Sequence, residues 1–304
     1  MKKTPIYVEI EMDTDIETIW KCTQQPQLHE QWDLRFSSIT YNEKESDEEP
    51  QTFTYTTNVV PGISISGWGV SKGTHEKKSG IKTSSLHFGT EQLISPIAEG
   101  KGYWQYLPHK DGVTFLTQYD YEVRFGMFGK FVDLIFKPMM GWATALSFDV
   151  LKRWIETGEP PAMQYRRFFS YTIISMIFFI VWFYQGLVPK IWVGHPQEIE
   201  MLMALSGLSE GAAGRFVLGI GIAEVLFGVA WLLQGWRKNF FLLQIVVFPL
   251  LTVTAIAADG EAVISPFNVI TFNLALWVLS IVGYLLSDHV PTAKSCIRKK
   301  GQAA

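Results

Sequence analysis

The feature that most constrains this chain is a run of twenty-one residues without a formal charge, from Phe168 to Val188. At about 1.5 Å of rise per residue, a helix of this length spans roughly 30 Å, the thickness of the hydrocarbon core of a bilayer. Arg166, Arg167 and Lys190 flank the run, as is typical of a membrane interface. The run therefore predicts a transmembrane helix. The alternative, a buried helix of a large soluble domain, is disfavoured because three similar runs follow.

These three further apolar runs occupy 215–234, 240–258 and 267–286. Together with 168–188 they predict four membrane spans. Basic residues concentrate on one side of the predicted bundle: Arg166, Arg167, Arg237, Lys238, Lys294, Arg298, Lys299 and Lys300. Because basic loops are retained in the cytoplasm, both termini of this multi-pass protein are predicted to be cytoplasmic.

The first 160 residues have a different composition. They carry a net charge of −6, whereas residues 161–304 carry +3. We therefore expect a soluble domain over 1–160 and a membrane domain over 161–304. The chain has no basic excess that would favour nucleic acid as a partner. Its only cysteines are Cys22 and Cys296, so a structural disulfide is not expected. The N-terminal lysines precede no apolar run, which argues against a secretory signal peptide.

The soluble half begins with a strand-like segment and two short helices. Residues 5–12 alternate between apolar and polar side chains, the pattern of a half-buried strand. Asp13 or Thr14 is expected to cap the first helix, and the second helix follows Pro26 and ends near Trp32.

A meander and a long helix are predicted next. Strand-like segments separated by turn signals fill residues 36–124, which indicates an antiparallel sheet. From 127 to 157 apolar residues recur every three or four positions, which predicts a helix with one apolar face, bent at Pro138.

This order of elements, and the residues DIETIWKCTQQPQLHEQW from Asp15 to Trp32, resemble the START-like superfamily, also called SRPBCC or helix-grip. The resemblance covers residues 5–157. It implies an α+β helix-grip domain, in which a curved antiparallel sheet wraps on a long C-terminal helix, followed here by an all-α transmembrane four-helix bundle. It also implies a deep apolar cavity between helix and sheet, which in that superfamily holds lipids, sterols, polyketides or aromatic metabolites.

The side chains expected to line such a cavity are aromatic, apolar or hydroxylated. Those of the last strand share one face because side chains alternate along a strand. The full predicted set is Trp68, Phe88, Tyr103, Phe115, Thr117, Tyr119, Tyr121, Ile135, Met139 and Trp142. The same pattern also fits a solid core, and the residues alone do not decide between core and cavity.

No pattern in the soluble half assigns a reaction. His29, His75, His87 and His109 are scattered among different segments, without the spacing of metal ligands. There is no nucleophile elbow either. We therefore expect no metal and no cofactor, and the sequence favours a binding protein over an enzyme.

The membrane half contains four stretches that resemble the DoxX-like family of small four-helix membrane proteins. They are FYQGLVPKIW, HPQEIEMLMALSGLSEG, GIGIAEVLFG and LLQIVVFPLL. The resemblance covers residues 165–290 and suits the plasma membrane of a bacterium. Some members of that family belong to quinone-linked sulfur oxidation or are linked to thiol stress. Because no cysteine lies within a predicted span, a thiol role is disfavoured here.

Glu224 is the residue of the membrane half with the sharpest physical constraint. A charged side chain near the centre of a span costs on the order of 3 kcal/mol on insertion scales, so Glu224 is expected to face the interior of the bundle. Gly221 and Gly228 share its helical face and would allow a neighbouring helix to approach. The polar residues predicted within the membrane are Gln185, Lys190, Glu224, Gln244 and Asn273. A structural hydrogen bond and a proton or quinone site are both open to Glu224.

Two functions from different classes follow. The first is membrane-tethered binding or transfer of a lipid or other apolar small molecule by the cytoplasmic domain, with membrane lipid as the neighbouring phase. The second is a redox or transport component of the membrane, quinone-linked in the redox case, with Glu224 in the bundle. The sequence leaves a homo-oligomer and a membrane partner protein open.

Overall fold

The computed structural model describes residues 4–44, 46, 49–60, 62–258, 260, 264 and 266–301. It divides into two compact units. One contains the described residues up to Tyr165 together with the C-terminal segment from Pro291, and the other is Arg166–Val290. The assignment of all of 161–304 to the membrane domain therefore differs from the structure at both of its ends.

The first unit is a seven-stranded antiparallel sheet with three helices. Its strands are β1 (Ile6–Met12), β2 (Ser38–Tyr41), β3 (Gln51–Val60), β4 (Ile63–Glu76), β5 (Lys82–Gly89), β6 (Ile97–His109) and β7 (Gly112–Val123). Its helices are α1 (Ile16–Gln24), α2 (Pro26–Trp32) and α3 (Gly126–Thr157). The order in the sheet is β1-β7-β6-β5-β4-β3-β2, and α3 packs against β1 and β7. The predicted helix-grip fold is confirmed.

The first helix begins one residue later than the sequence suggested. Asp15, rather than Asp13 or Thr14, is the N-cap of α1, and its carboxylate accepts a hydrogen bond of 2.7 Å from the backbone N–H of Thr18. The side chain of an N-cap residue bonds to the free N–H groups two or three residues later, and Thr18 lies three residues after Asp15.

The two halves of α3 have opposite surroundings. Residues 144–151 are buried without interruption against the sheet. The first half instead turns an apolar stripe outward, formed by Met127, Phe128, Phe131, Leu134, Ile135 and Met139. The side of this half that faces the sheet carries Asp133, which accepts a hydrogen bond of 2.6 Å from Tyr121, and Lys137, which pairs with Asp120 at 3.0 Å.

The C-terminal segment belongs to the first unit through specific bonds. Ile297 exchanges two backbone hydrogen bonds of 2.9 Å with Glu9, so the segment bonds to the free edge of β1 at this position. Asp149 of α3 accepts hydrogen bonds from the Thr292 N–H at 3.0 Å and from the Ser295 hydroxyl at 2.6 Å. A segment bonded to an edge strand hinders that strand from pairing with another chain.

The second unit consists of apolar helices. They are α4 (Pro161–Gln185), continued by a π-helical segment (Gly186–Val193), α5 (Pro196–Ser206), α6 (Glu210–Ala230), α7 (Arg237–Ala258) and α8 (Val269–Leu286). Within the described residues, four helical segments are long and apolar enough to cross a membrane: Pro161–Val193, Glu210–Ala230, Gln234–Ala258 and Val269–Leu286. The four predicted spans are confirmed as helices.

Glycines permit close packing of α6 in this unit, as the sequence indicated. A side chain at Gly228 would collide with the backbone of Phe183, and one at Gly221 would collide with Lys190 and with the backbone of Gly186. The helix axes can therefore approach to backbone contact, the arrangement that small residues permit in membranes.

Candidate functional site

Five of the ten side chains predicted to line a cavity share the face of the sheet that meets α3. They are Phe88, Phe115, Thr117, Tyr119 and Tyr121. Tyr119 shares a hydrogen bond of 2.9 Å with Thr144 of α3, and the ring of Phe115 stacks on Phe148 with centroids 4.5 Å apart. We call this the inner face of the sheet.

Trp68 and Tyr103 lie on the opposite face. Phe88 on the inner face pairs with Gly69, so the adjacent Trp68 points away and its ring meets His87. Tyr103 pairs with Gln118, whereas the inner Thr117 pairs with Trp104. Because neighbouring residues of a strand point to opposite faces, these two aromatic side chains do not join the other five.

Two of the three helix residues of the predicted set are not brought to the inner face as expected. Ile135 is 74% exposed and Met139 is 49% exposed, both on the outward stripe of α3. The third, Trp142, is half-buried. Asp133 and Lys137 each bond to a residue of β7. The side of the helix that carries them therefore lies against the sheet, and the side with Ile135 and Met139 faces outward.

One end of the inner face is a solid aromatic core. Phe115, Tyr106, Phe148 and Trp32 are completely buried. The ring of Phe115 stacks on both Tyr106 and Phe148 at 5.0 and 4.5 Å. Such contacts fill the space between sheet and helix, so this end has no room for a ligand.

The other end of the inner face is built differently, from glycines covered by aromatic rings. The ring of Tyr55 lies over Gly67, that of Phe53 over Gly69 and that of Phe88 over Gly100, each so close that a Cβ on the glycine would collide with the ring. A ring that lies flat over a glycine projects less toward the helix than one that stands upright. Tyr55 and Phe88 remain only half-buried. We call this the open end.

A buried ion pair, which the sequence did not indicate, lies between the two ends. The Asp33 carboxylate is fully buried and receives hydrogen bonds from Arg35 at 2.7 and 2.9 Å and from His29 at 3.1 Å. The Arg35 guanidinium lies over the ring of Tyr119, 5.4 Å from its centroid. Burial by itself would raise the pKa of Asp33, but Arg35 and the bond from His29 outweigh it and hold that pKa well below its usual range.

The second unit contains a cavity of about 650 Å³. Helices α4 to α8 all contribute to its walls, which are mainly apolar and include Trp182, Phe248 and Phe272. Its polar lining includes Gln185, Lys190, Glu198, Glu224 and Asn273. The volume is that of an ordinary small-molecule site.

Glu224 lines the cavity of this unit, and its partner is Lys190. The Lys190 ammonium lies 3.0 Å from Glu224 Oε2 and 3.4 Å from Glu198 Oε1. Lys190 occupies the π-helical segment beside Pro189, and such segments recur at functional sites. Gln185, another of the polar residues predicted within the membrane, accepts a hydrogen bond of 3.4 Å from Lys190 through its backbone carbonyl.

The other predicted polar residues of the membrane half have separate places. Asn273 donates a hydrogen bond of 3.1 Å to Thr252. Gln244 is completely buried, and neither of its amide atoms finds a hydrogen-bond partner among the described residues. It lies one helical turn from Phe248, which stacks on Trp182 at 5.8 Å in the cavity wall.

Known proteins resemble both parts of this chain. Residues 179–281 match the model of the DoxX-like family. Among solved structures, a fragment of the STAR-related lipid transfer protein from Xanthomonas axonopodis is 14% identical and covers 45% of this chain and 78% of its own, with a TM-score of 0.35. The protein of unknown function SA2116 from Staphylococcus aureus is 15% identical and covers 52% and 97%, with a TM-score of 0.37. Neither value bears on ligand or activity.

One relative matches from end to end. The uncharacterised membrane protein YndG of Bacillus subtilis (strain 168) is 35% identical over 306 residues, which cover 99% of each chain. The chain therefore belongs to the same family of membrane proteins as YndG and carries a DoxX-like domain in its helical unit.

Proposed function

We propose that the first unit binds an apolar small molecule, a lipid or another hydrophobic compound, at the open end of its inner face. The observation that carries this proposal is the layer of aromatic rings lying over Gly67, Gly69 and Gly100. Two of these three rings, those of Tyr55 and Phe88, stay only half-buried. They leave apolar surface in contact with water, and such surface favours an apolar ligand.

The surface next to the open end supports the same function. The β3–β4, β5–β6 and β7–α3 connections meet at one end of the sheet, where Thr90 bonds to the Ser66 carbonyl and Arg124 bonds to the Thr90 carbonyl. Exposed apolar side chains cluster at and beside these connections: Val59, Val60, Ile63, Leu93, Ile94, Phe125, Met127 and Phe128. We call these residues the apolar rim. An exposed apolar patch of this kind is typical of contact with lipid or with an apolar ligand.

The short link between α3 and α4 is the feature that relates the proposed binding to the membrane. Three residues, 158–160, separate the end of α3 from the first residue of α4, which begins the first candidate span. So short a link keeps the unit at a high effective concentration near the bilayer. We place this unit and both termini in the cytoplasm of a bacterial cell, because the basic residues of the chain concentrate beside the span ends that lead to it.

The test is native mass spectrometry of the first unit purified from its host. The protein to use joins residues 4–165 to residues 291–301 through a flexible linker, so that the β1 edge stays covered, and circular dichroism must first show that it folds. One apolar molecule per folded chain is the expected result. A folded unit that carries nothing, and that takes up no fatty acid or sterol on titration, would remove the proposal.

A second candidate function belongs to the helical unit, namely a redox or transport component of the membrane. The observation in its favour is the Lys190–Glu224 pair within a cavity large enough for a small molecule. Membranes containing the protein should then show a turnover or a transported ligand that Glu224→Gln abolishes. If Glu224→Gln changes no activity of the intact protein, with quinone or without it, this candidate fails.

A further inference from the structure

The cavity of the helical unit has an unequal balance of charge. Its lining contains one ammonium, from Lys190, two carboxyl groups, from Glu198 and Glu224, and the His195 imidazole, whose Nδ1 accepts a hydrogen bond from the Gln197 N–H. It has no other lysine, arginine or acidic side chain among the described residues. Lys190 lies within 4 Å of both carboxyl groups and can neutralise only one of them. With both carboxyl groups ionised, one negative charge is left over.

An unbalanced charge in this position has an energetic consequence. Removing a carboxylate from water is costly unless a cation accompanies it. The Glu224 side chain is 17% exposed and that of Glu198 is 35% exposed, so solvent solvates neither fully. A second positive charge in the cavity would lower the free energy of the site.

The rest of the lining selects what kind of cation fits. Trp182, Phe248, Phe267 and Phe272 contribute four aromatic rings, and leucine, isoleucine and valine side chains complete the walls. Aromatic faces attract organic cations, especially where water is excluded. An inorganic cation would leave the aliphatic part of these walls without a contact, whereas an ammonium attached to an apolar chain or ring would contact both parts of the lining.

We propose that this cavity binds an amphipathic organic cation, an amine or quaternary ammonium joined to an apolar group, with its charge beside the carboxylates of Glu198 and Glu224 and its apolar part against Trp182, Phe248 and Phe272. This site is separate from the open end of the first unit. The proposal names a ligand class for the second candidate function. Binding of the cation does not depend on that candidate function, whereas transport of the cation does.

The test compares three probes that share a twelve-carbon tail: dodecyltrimethylammonium, dodecanol and dodecyl sulfate. Each is titrated by calorimetry into the full chain in nanodiscs of zwitterionic lipid, and the signal of empty nanodiscs is subtracted. Saturable binding with preference for the ammonium is expected. Tighter binding of the sulfate or the alcohol, or no saturable binding of the ammonium, overturns the proposal.

Variants test whether the charges of Glu198, Glu224 and Lys190 determine the binding of the ammonium probe. In protein shown by thermal unfolding to be folded, Glu198→Gln and Glu224→Gln should each weaken ammonium binding about tenfold or more, and Lys190→Met should strengthen it. Glu200→Gln is the matched control, because Glu200 lies on the same helix as Glu198, is exposed and does not line the cavity. An equal loss in Glu200→Gln and Glu198→Gln, or weaker binding in a folded Lys190→Met variant, overturns the proposal. Failure of transport or quinone assays alone leaves these binding results unchanged.

Discussion

At the scale of single residues, the Asp33 carboxylate makes stability depend on pH. Its folded-state pKa lies below the unfolded value of about 4, because Arg35 and His29 outweigh the effect of burial. A carboxyl group with a lowered pKa contributes stability that is present above the unfolded pKa and is lost as pH falls toward the folded pKa. The intact protein in detergent should therefore lose stability as pH falls below about 4.

The Asp33→Asn variant separates this contribution from general acid denaturation. It leaves the Arg35 guanidinium without its partner, so it should lower the free energy of unfolding at neutral pH by about 3 to 5 kcal/mol and flatten the dependence on acid pH. Tryptophan fluorescence during thermal unfolding measures both effects. Glu43→Gln, at an exposed carboxylate, should change neither. Parallel acid profiles for the native chain and Asp33→Asn would show that Asp33 is not the group responsible.

At the scale of elements, the glycines of β4 and β6 control how far aromatic rings reach into the first unit. A valine at position 69 cannot coexist with the present position of the Phe53 ring, so Gly69→Val should push that ring toward the helix and fill part of the open end. We expect apolar ligand uptake by the first unit to fall at least tenfold while its fold is retained, measured by native mass spectrometry.

The matched control for this prediction is Ser85→Val on the neighbouring strand β5. Ser85 pairs with Tyr103 and therefore lies on the opposite face. The Ser85→Val variant introduces the same side chain as Gly69→Val, with the same preference for strand geometry. If Ser85→Val reduced uptake as much as Gly69→Val, the open end would not be where the ligand binds.

The same glycines explain which parts of the fold the sequence could predict. The strands, α3 and the four spans follow from periodicity and length, and the structure confirms them. The sequence did not show that Trp68 and Tyr103 lie on the outer face of the sheet, because the inner positions of β4 and β6 at this end are glycines. The apolar cover of these positions comes from neighbouring strands, so alternation within one strand cannot reveal it.

The candidate sites were predictable to a similar degree. The cost of a charge in lipid predicts an inward position for Glu224, and in the structure Glu224 pairs with Lys190. The Asp33–Arg35 pair gives no periodic signal, since it depends on how the chain folds after α2. An acid within a buried part of α3, Asp149, was the available signal for the docking of the C-terminal segment.

At the scale of the whole molecule, Asp149 fastens the C-terminal segment to the first unit. Burial, together with the nearby Asp149 carboxylate, raises the pKa of the Cys296 thiol to about 12, so this thiol should react slowly with maleimides at neutral pH. Asp149→Ala removes two hydrogen bonds to the segment and should speed alkylation of Cys296 about tenfold or more in detergent. Cys22 is the internal reference and its rate should stay the same. Unchanged Cys296 reactivity would mean that Asp149 does not hold the segment.

The C-terminal segment also constrains the membrane topology. Because both ends of the helical unit continue into the first unit, four spans must begin and end on the same side of the bilayer. If that side is the cytoplasm, a membrane-impermeant maleimide applied to intact cells should label Ala204→Cys, which lies exposed on α5 between the first two spans, and not Lys299→Cys, exposed in the C-terminal segment. Permeabilised cells should show labelling at both positions, which controls for burial. Labelling of Lys299→Cys in intact cells would reverse the orientation and place the proposed apolar site outside the cell.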